Sequence, residues 1–328
     1  MFNFGNGKTL IDLIPDGLSH TATSFVESLK INSITDKSRS DRGLIVKRRN
    51  LYGERAAALI NFYFRAAAIP LRYVSNVREW RRWEVRCFQM LNGDRFCAKV
   101  ANSRTVTLDK LPGDNLWEHM NRGTLTPQML KAAGNEYRRA HQFESKELGC
   151  SWSHGDASMT NVIYDEKTKR ARLIDFEIRH EKSLPAPSRQ ADDLLVFLLD
   201  MVGRIPTRKW LPFAICFLRA YKNSTVIREL KKRLVVPSGL ALIWWNVRTN
   251  FTPSAKVRRR IQALRRAIDK VQLCHSLAID SARNKRRPSI TCQRTRAGMP
   301  TSKSRKRAKR DRAKAVSPAI PRRLPITR

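Results

Sequence analysis

His154, Asp156 and Asn161 lie within the eight residues HGDASMTN (154–161), and Asp175 and Glu177 follow in LIDFE (173–177). Phosphoryl transfer from a nucleoside triphosphate asks little covalent chemistry of a protein. It needs a carboxylate beside the acceptor hydroxyl, oxygen ligands for a divalent ion, and a cation on the phosphates. Mg²⁺ prefers hard oxygen ligands and keeps several of its waters, so one aspartate and one asparagine suffice. Asp156 and Asn161 stand five residues apart, and Asp175 comes fourteen residues after Asn161. Between them VIYD and ARLIDF flank the polar turn EKTKR, the pattern of a hairpin. Such a hairpin carries Asn161 and Asp175 to the same end of a two-stranded ribbon, where three oxygen-bearing side chains converge.

Other elements must hold these residues. GLIVKRRN (43–50) opens with Leu-Ile-Val and reads as a short strand. LYGERAAALINFYFRAAAI (51–69) is helical in composition and is stopped by Pro70. It is apolar on most sides, which fits packing on its own lobe better than lying on a membrane surface. Residues 76–91 form a second helix, with Val77, Trp80, Trp83, Cys87, Met90 and Leu91 in one stripe. Two strands, 95–101 and 104–109, meet at Asn102-Ser103, and Pro112-Gly113 breaks the chain as a linker would. Thr126 caps a helix over about 127–144 with Pro127 at its first position. Residues 189–272 read as mostly helical. Strands and a helix first, a break, then a helical half imply two lobes.

Composition adds a strong bias. The 328 residues carry a net charge of +37. Residues 281–328 hold +16 of it and the first 280 residues the other +21. A basic body points to an anionic partner: nucleic acid, membrane surface or phosphorylated substrate. The tail contains no aromatic residue to stack on bases, so it reads as a disordered, nonspecific polyanion binder. The six cysteines show no metal-ligand spacing, and free thiols suit a reducing cytoplasm. The N-terminal stretch lacks the pattern of a signal peptide, and no run of 18 apolar residues predicts a spanning helix. The expected location is cytoplasmic, with attachment to the inner membrane face as the alternative. GNGKT (5–9) is not a Walker A loop, because the glycine required five positions before Gly7 falls on Phe2.

The pair of motifs resembles the protein-kinase-like superfamily, whose catalytic loop H-x-D-x-x-x-x-N is followed by D-F-G. The H-G-D form is similar to its small and atypical branches: aminoglycoside and choline phosphotransferases, lipopolysaccharide-core sugar kinases, and the small kinase of the tRNA threonylcarbamoylation complex. The resemblance covers about 43 to 220. It implies an α+β, two-lobed fold with a small antiparallel-sheet N-lobe, bearing one or two helices, and a mostly helical C-lobe. The division expected is an N-terminal extension (1–40), N-lobe (41–112), C-lobe (113–280) and basic tail (281–328). It implies ATP and Mg²⁺ as cofactors and a hydroxyl-bearing acceptor on a sugar, a glycolipid or a particular protein. Asp156 would be the catalytic base, and Asn161 and Asp175 the magnesium ligands. His154 would brace the loop near Phe176, and Asp193, with Asp192 as the alternative, would tie the loop down. Lys47 would grip the phosphates, paired to Glu84, with Glu79 competing. Asp109 and Leu111, in TLDKLPG (107–113), would form the hinge that holds adenine.

Three departures bear on activity. No G-x-G-x-x-G loop precedes Lys47, and Glu177 replaces the glycine of D-F-G, so a binding module without catalysis is the alternative reading. Gly155 stands where ordinary protein kinases carry an arginine that reads a phosphorylated loop. Only eighteen residues separate Asp175 from Asp193, too few for a peptide-docking platform.

Overall fold

A computed structural model describes residues 31–37, 43–145 and 149–284 of the chain. Residues 5–9 and the basic tail beyond 284 lie outside the described residues.

The fold is α+β, with a small antiparallel sheet in its N-terminal part, here the N-lobe, and mostly helices in its C-terminal part, here the C-lobe. The N-lobe is built on a four-stranded antiparallel sheet. Its strands are β1 (Asn32–Asp36), β2 (Leu44–Arg49), β4 (Ala98–Asn102) and β5 (Thr105–Asp109), in the order β1-β2-β5-β4. The edge strand β1 falls in the stretch assigned above to the N-terminal extension. Its sequence, NSITD, has one apolar residue and no alternation, so it carries no strand signature. Main-chain pairing with β2, Asn32 opposite Arg49 and Ile34 opposite Lys47, is what makes it a strand. Helix α1 (Gly53–Ala66) buries Ala57 and Phe64 and leaves Leu59 and Phe62 exposed. Its composition predicts apolar contact on most sides, whereas the lobe covers one side only. After it, β3 (Leu71–Tyr73) leaves the sheet and pairs with a strand of the C-lobe.

Helix α2 (Val77–Asn92) begins at Asn76, whose side chain accepts from the Glu79 amide at 3.0 Å. Its buried face is Trp80, Trp83, Glu84, Cys87, Phe88 and Leu91. That spacing is the helical one, and it puts a glutamate into an otherwise apolar stripe. Beyond β5 the chain turns at Gly113, with φ +94°. A Cβ there would lie 1.9 Å from the Tyr164 carbonyl oxygen, so the linker needs a glycine. The next strand, β6 (Asp114–Asn115), pairs antiparallel with the C-lobe hairpin.

In the C-lobe, α3 (Leu116–Asn121) is followed by α4 (Pro127–Ala140), capped by Thr126 with proline at its start. Two-residue strands β7 (Glu144–Ser145) and β8 (Cys150–Ser151) close a small ribbon before HGDASMTN. The expected hairpin is β9 (Val162–Asp165) with β10 (Arg170–Leu173), in the register Val162 opposite Leu173. Strand β11 (Ile178–His180) is the partner of β3. Helix α5 (Ala186–Arg204) is buried without a break from Arg189 to Val202, which its run ADDLLVFLLDMV demands. Around it pack α6 (Thr207–Tyr221), α7 (Ser224–Arg233), α8 (Leu240–Arg248) and α9 (Ser254–Asn284). Phe197 of α5 stacks on Phe217 of α6 at 4.3 Å. Among the described residues no helix is long and apolar enough to cross a membrane.

Candidate active site

Strand β2 has a two-residue period, so Lys47 and Arg49 share its inner face, at 3 % and 0 % exposure. Two cations buried on one strand need partners. The Lys47 ammonium meets Glu84 at 2.8 Å, Asp175 at 2.7 Å and Glu177 at 3.5 Å. Arg49 donates to the Val74 carbonyl at 3.1 Å and lies 4.6 Å over the Trp80 ring. Burial works against the Lys47 charge, but Asp175, Glu84 and Glu177 outweigh it and hold its pKa above the ordinary value. Burial raises the pKa of Glu84, although the Lys47 charge opposes this. Its second oxygen accepts from the Phe176 amide at 3.1 Å, so the glutamate clamps the chain beside Asp175 as well as the lysine. Glu79 faces elsewhere, toward Arg72 at 2.7 Å and Arg179.

Asp175 adopts φ +66°, a left-handed conformation that aspartate tolerates better than most residues. Its side chain is 32 % exposed, the most open member of the Lys47 cluster. Lys47 prevails over burial and holds the Asp175 carboxyl below the ordinary range. The hairpin register runs straight into the site. Past Val162–Leu173, the Ile174 amide donates to the Asn161 carbonyl at 3.0 Å, and Asp175 is the next residue. The Asn161 amide nitrogen donates to the Asp156 carbonyl at 2.9 Å and to its carboxylate at 3.2 Å. That commits Nδ2 and leaves Oδ1 as the amide atom able to meet a cation. Burial, then the charge of Asp175, pushes the Asp156 carboxyl up to about 6.

The loop is held from beneath. Asp193, fully buried, accepts from the His154 and Gly155 amides at 2.7 Å each and from His141 at 3.0 Å. Asp192, its neighbour on α5, turns to His180 at 3.3 Å and Arg248 at 3.6 Å instead. His154 donates from Nε2 to the Ile174 carbonyl at 2.9 Å, and its Nδ1 accepts from the Asp156 amide at 3.3 Å. Burial lowers its pKa, which suits that neutral tautomer. Its ring lies 5.3 Å from Phe176. Gly155 has φ +89°, and a Cβ there would come within 2.6 Å of the Ile178 carbonyl oxygen. No side chain fits at that position. Asp200 fixes the turn at Met159–Asn161 by accepting from the Met159 amide at 2.8 Å.

Asp109 and Leu111, expected at the hinge, stand apart from this cluster. Asp109 lies opposite Leu44, three positions along β5 from Val106, the partner of Lys47. Its carboxylate accepts from the Cys97 amide at 2.8 Å and its amide donates to the Cys97 carbonyl at 2.9 Å. Leu111 is 6 % exposed, with its side chain in the core.

Sequence reasoning missed what surrounds Glu177. Its carboxylate accepts from Tyr73 at 2.5 Å and from the Asn32 side chain, besides facing Lys47. Burial, then the Asp175 charge, pushes it up to about 7. Nothing in NSITD or LRY announced those partners, which lie more than a hundred residues away along the chain. Among the described residues no group of three or more His, Cys, Asp or Glu side chains is disposed around a metal position. The donor set that fits a divalent ion is smaller and all oxygen: Asn161, Asp175 and the nearby Asp156 carboxylate. It suits a hard cation that retains water.

No family model matches the chain, and no curated protein matches it. Among solved structures, it is similar to the complex of Rv3197 with erythromycin from Mycobacterium tuberculosis. There the TM-score is 0.31 at 15 % identity, over 62 % of this chain, which spans just under two-thirds of the other (65 %). An ethanolamine kinase of Plasmodium vivax gives TM-score 0.34 and 11 % identity, over 80 % of this chain and 90 % of that one. The ADP-bound aminoglycoside phosphotransferase APH(2'')-Ib gives 0.35 and 12 %, over 76 % and 97 %. Likenesses this faint carry no weight in the assignment. The protein-kinase-like reading rests on the chain's own elements: a strand lysine, a helix glutamate and a hairpin-borne aspartate drawn together beside a buried H-G-D loop.

Proposed function

We propose that the chain is an ATP- and Mg²⁺-dependent phosphotransferase acting on a hydroxyl acceptor. The observation that supports this best is the contact of Lys47 with both Glu84 and Asp175, with Asp156 and Asn161 hydrogen-bonded one step away. When bound, the nucleotide and Mg²⁺ supply the phosphoryl group and neutralise charge on it. Lys47 is the cation for the phosphates, and Glu84 holds it in place. Asn161 Oδ1 and the Asp175 carboxylate are the metal ligands. Asp156 accepts the acceptor's proton at its carboxylate, where a pKa of about 6 lets it be ionised, yet basic, near neutral pH. Asp193 and His154 act through the loop: they hold the Gly155 and Asp156 amides and so aim the carboxylate. The hinge role of Asp109 and Leu111 extends to the backbone around them.

Asp156→Ala tests this reading. Transfer should fall by about 10²–10⁴-fold, while ATP with Mg²⁺ still raises the melting temperature as in wild type. Unchanged turnover would remove Asp156 from the chemistry.

One observation favours a second reading, a nucleotide- or partner-binding module that does not turn over. Glu177 stands where the resembling family has glycine, and its carboxylate reaches Lys47, the group meant for phosphate. A melting shift with ATP that persists without Mg²⁺, and no transfer to any acceptor, would support it.

A further inference from the structure

Residues 234–240, α8 and the early turns of α9 line a groove of about 920 Å³. From α9 come Arg258, Ile261, Gln262 and Arg265. Steps of three, four and seven residues put all four on one helix face. Ile261 is buried there, whereas Arg258, Gln262 and Arg265 are exposed. From α8 and the segment before it come Val235, Leu240 and Ile243, which stay 55 %, 48 % and 46 % exposed. Three large apolar side chains left to water in one concavity differ from the single ones that any surface carries. The wall is also anchored: the Tyr63 hydroxyl donates to the Leu240 carbonyl at 2.8 Å and ties the start of α8 to α1.

The charge of the groove has one sign. None of its described lining residues is acidic. From Leu230 to Ile268 the sequence contains no Asp or Glu. The acids that flank this stretch have cations of their own: Glu229 meets Lys232 at 2.5 Å, and Asp269, one turn beyond Arg265, pairs with Lys231. Arg258 and Arg265 form no ion pair with a described residue. An apolar lining with a few polar groups, in roughly 300–1,000 Å³, is the usual make-up of a small-molecule site. Here the apolar side chains suit a hydrocarbon body, and the guanidiniums suit an oxyanion, whose oxygens match their N–H fork. The two arginines stand two turns apart, ~10 Å along the axis, a span on the scale of one short chain. The basic tail and a second copy of this chain are poorer occupants, because either would set cation against cation.

We propose that this groove binds an amphiphilic anion: a single hydrocarbon chain against Val235, Leu240, Ile243 and Ile261, with an oxyanion head held by Arg258 and Arg265. The proposal is independent of the phosphotransferase reading, since the groove shares no lining residue with the Lys47 cluster or with HGDASMTN.

The test is a calorimetric titration of the full chain with octyl phosphate, kept below its micelle concentration. 1-Octanol carries the chain without the charge, and inorganic phosphate the charge without the chain. Octyl phosphate should bind saturably. Octanol should bind at least about tenfold more weakly, the loss of one charge-assisted contact, and phosphate alone should not saturate. Ile243→Glu, at an exposed position, sets a carboxylate against both chain and head and should abolish binding. Arg258→Gln combined with Arg265→Gln should bring octyl phosphate down to the affinity of octanol, and it decides the matter if the glutamate variant does not fold. Equal binding in wild type and variants, or none in wild type, overturns the site. Octyl phosphate no tighter than octanol overturns the anionic head. Vesicles of phosphatidylglycerol captured only when Ile243 is intact, with no binding of monomeric octyl phosphate, would assign the groove to a bilayer surface and overturn the single-molecule site. A dimer that Ile243→Glu dissolves would overturn it in favour of a second copy.

Discussion

Two charged clusters, one around Lys47 and one around Asp192, differ in how tightly their charges are tied. Around Lys47 a single ammonium faces Glu84, Asp175 and Glu177. Around Asp192 the carboxylate meets His180 at 3.3 Å and Arg248 at 3.6 Å. Burying charge is costly unless it is paired. The Lys47 cluster is tied by short ion pairs and by the Phe176 amide, whereas the Arg248 donors are unmade. The first holds its geometry more tightly than the second.

Substitutions that unbalance the first cluster further should have the largest effect. Lys47→Met leaves three carboxylates without their common cation. Urea denaturation should show a loss of about 3–5 kcal/mol, and transfer should vanish with it. A variant as stable as wild type would mean that the carboxylates are already protonated and that the cluster is not the anionic one described.

The pH profile comes next. The Asp156 carboxyl is raised to about 6, so the base is protonated and idle below that value. The kcat/KM should fall about tenfold per pH unit below it and level off above. A profile flat down to pH 5 would separate Asp156 from the proton transfer.

Glu177→Gln gives the smallest and most discriminating effect. The folded pKa of Glu177, about 7, lies above the ordinary 4.5. The fold therefore holds a proton that the unfolded chain has released, and the stability this gives is present at low pH and lost as pH rises through about 7. Glutamine cannot ionise, so it removes that loss. The variant's melting temperature relative to wild type should be higher at pH 8 than at pH 5. If the variant also gains turnover, Glu177 is a brake on Lys47; if it gains stability alone, the carboxylate is only a strained neighbour.

Much of this was legible in the residues because it is local. Thr126 and Pro127 mark the start of α4, and the polar turn EKTKR between two apolar runs marks the β9–β10 hairpin. The stripe of α2 follows from spacing alone. Strand β1 was not legible, since its order comes from β2 and not from its own composition. The helix at 53–66 misled in one respect. Its apolar residues outnumber the positions its lobe covers, so Leu59 and Phe62 stay exposed.

The sequence by itself determined that Asp156, Asn161 and Asp175 could meet, because a short loop and a hairpin span everything between them and register follows from alternation. It left open which glutamate and which aspartate of each candidate pair belongs to the site. Glu79 and Glu84 project about 140° apart around a helix, and Asp192 and Asp193 about 100° apart. Only packing decides which direction faces Lys47 and which faces the loop. The tertiary structure alone brought Asn32 and Tyr73 to Glu177, and Arg248 to Asp192. Those partners are joined through space by folding, with no periodicity or turn between them to record the contact.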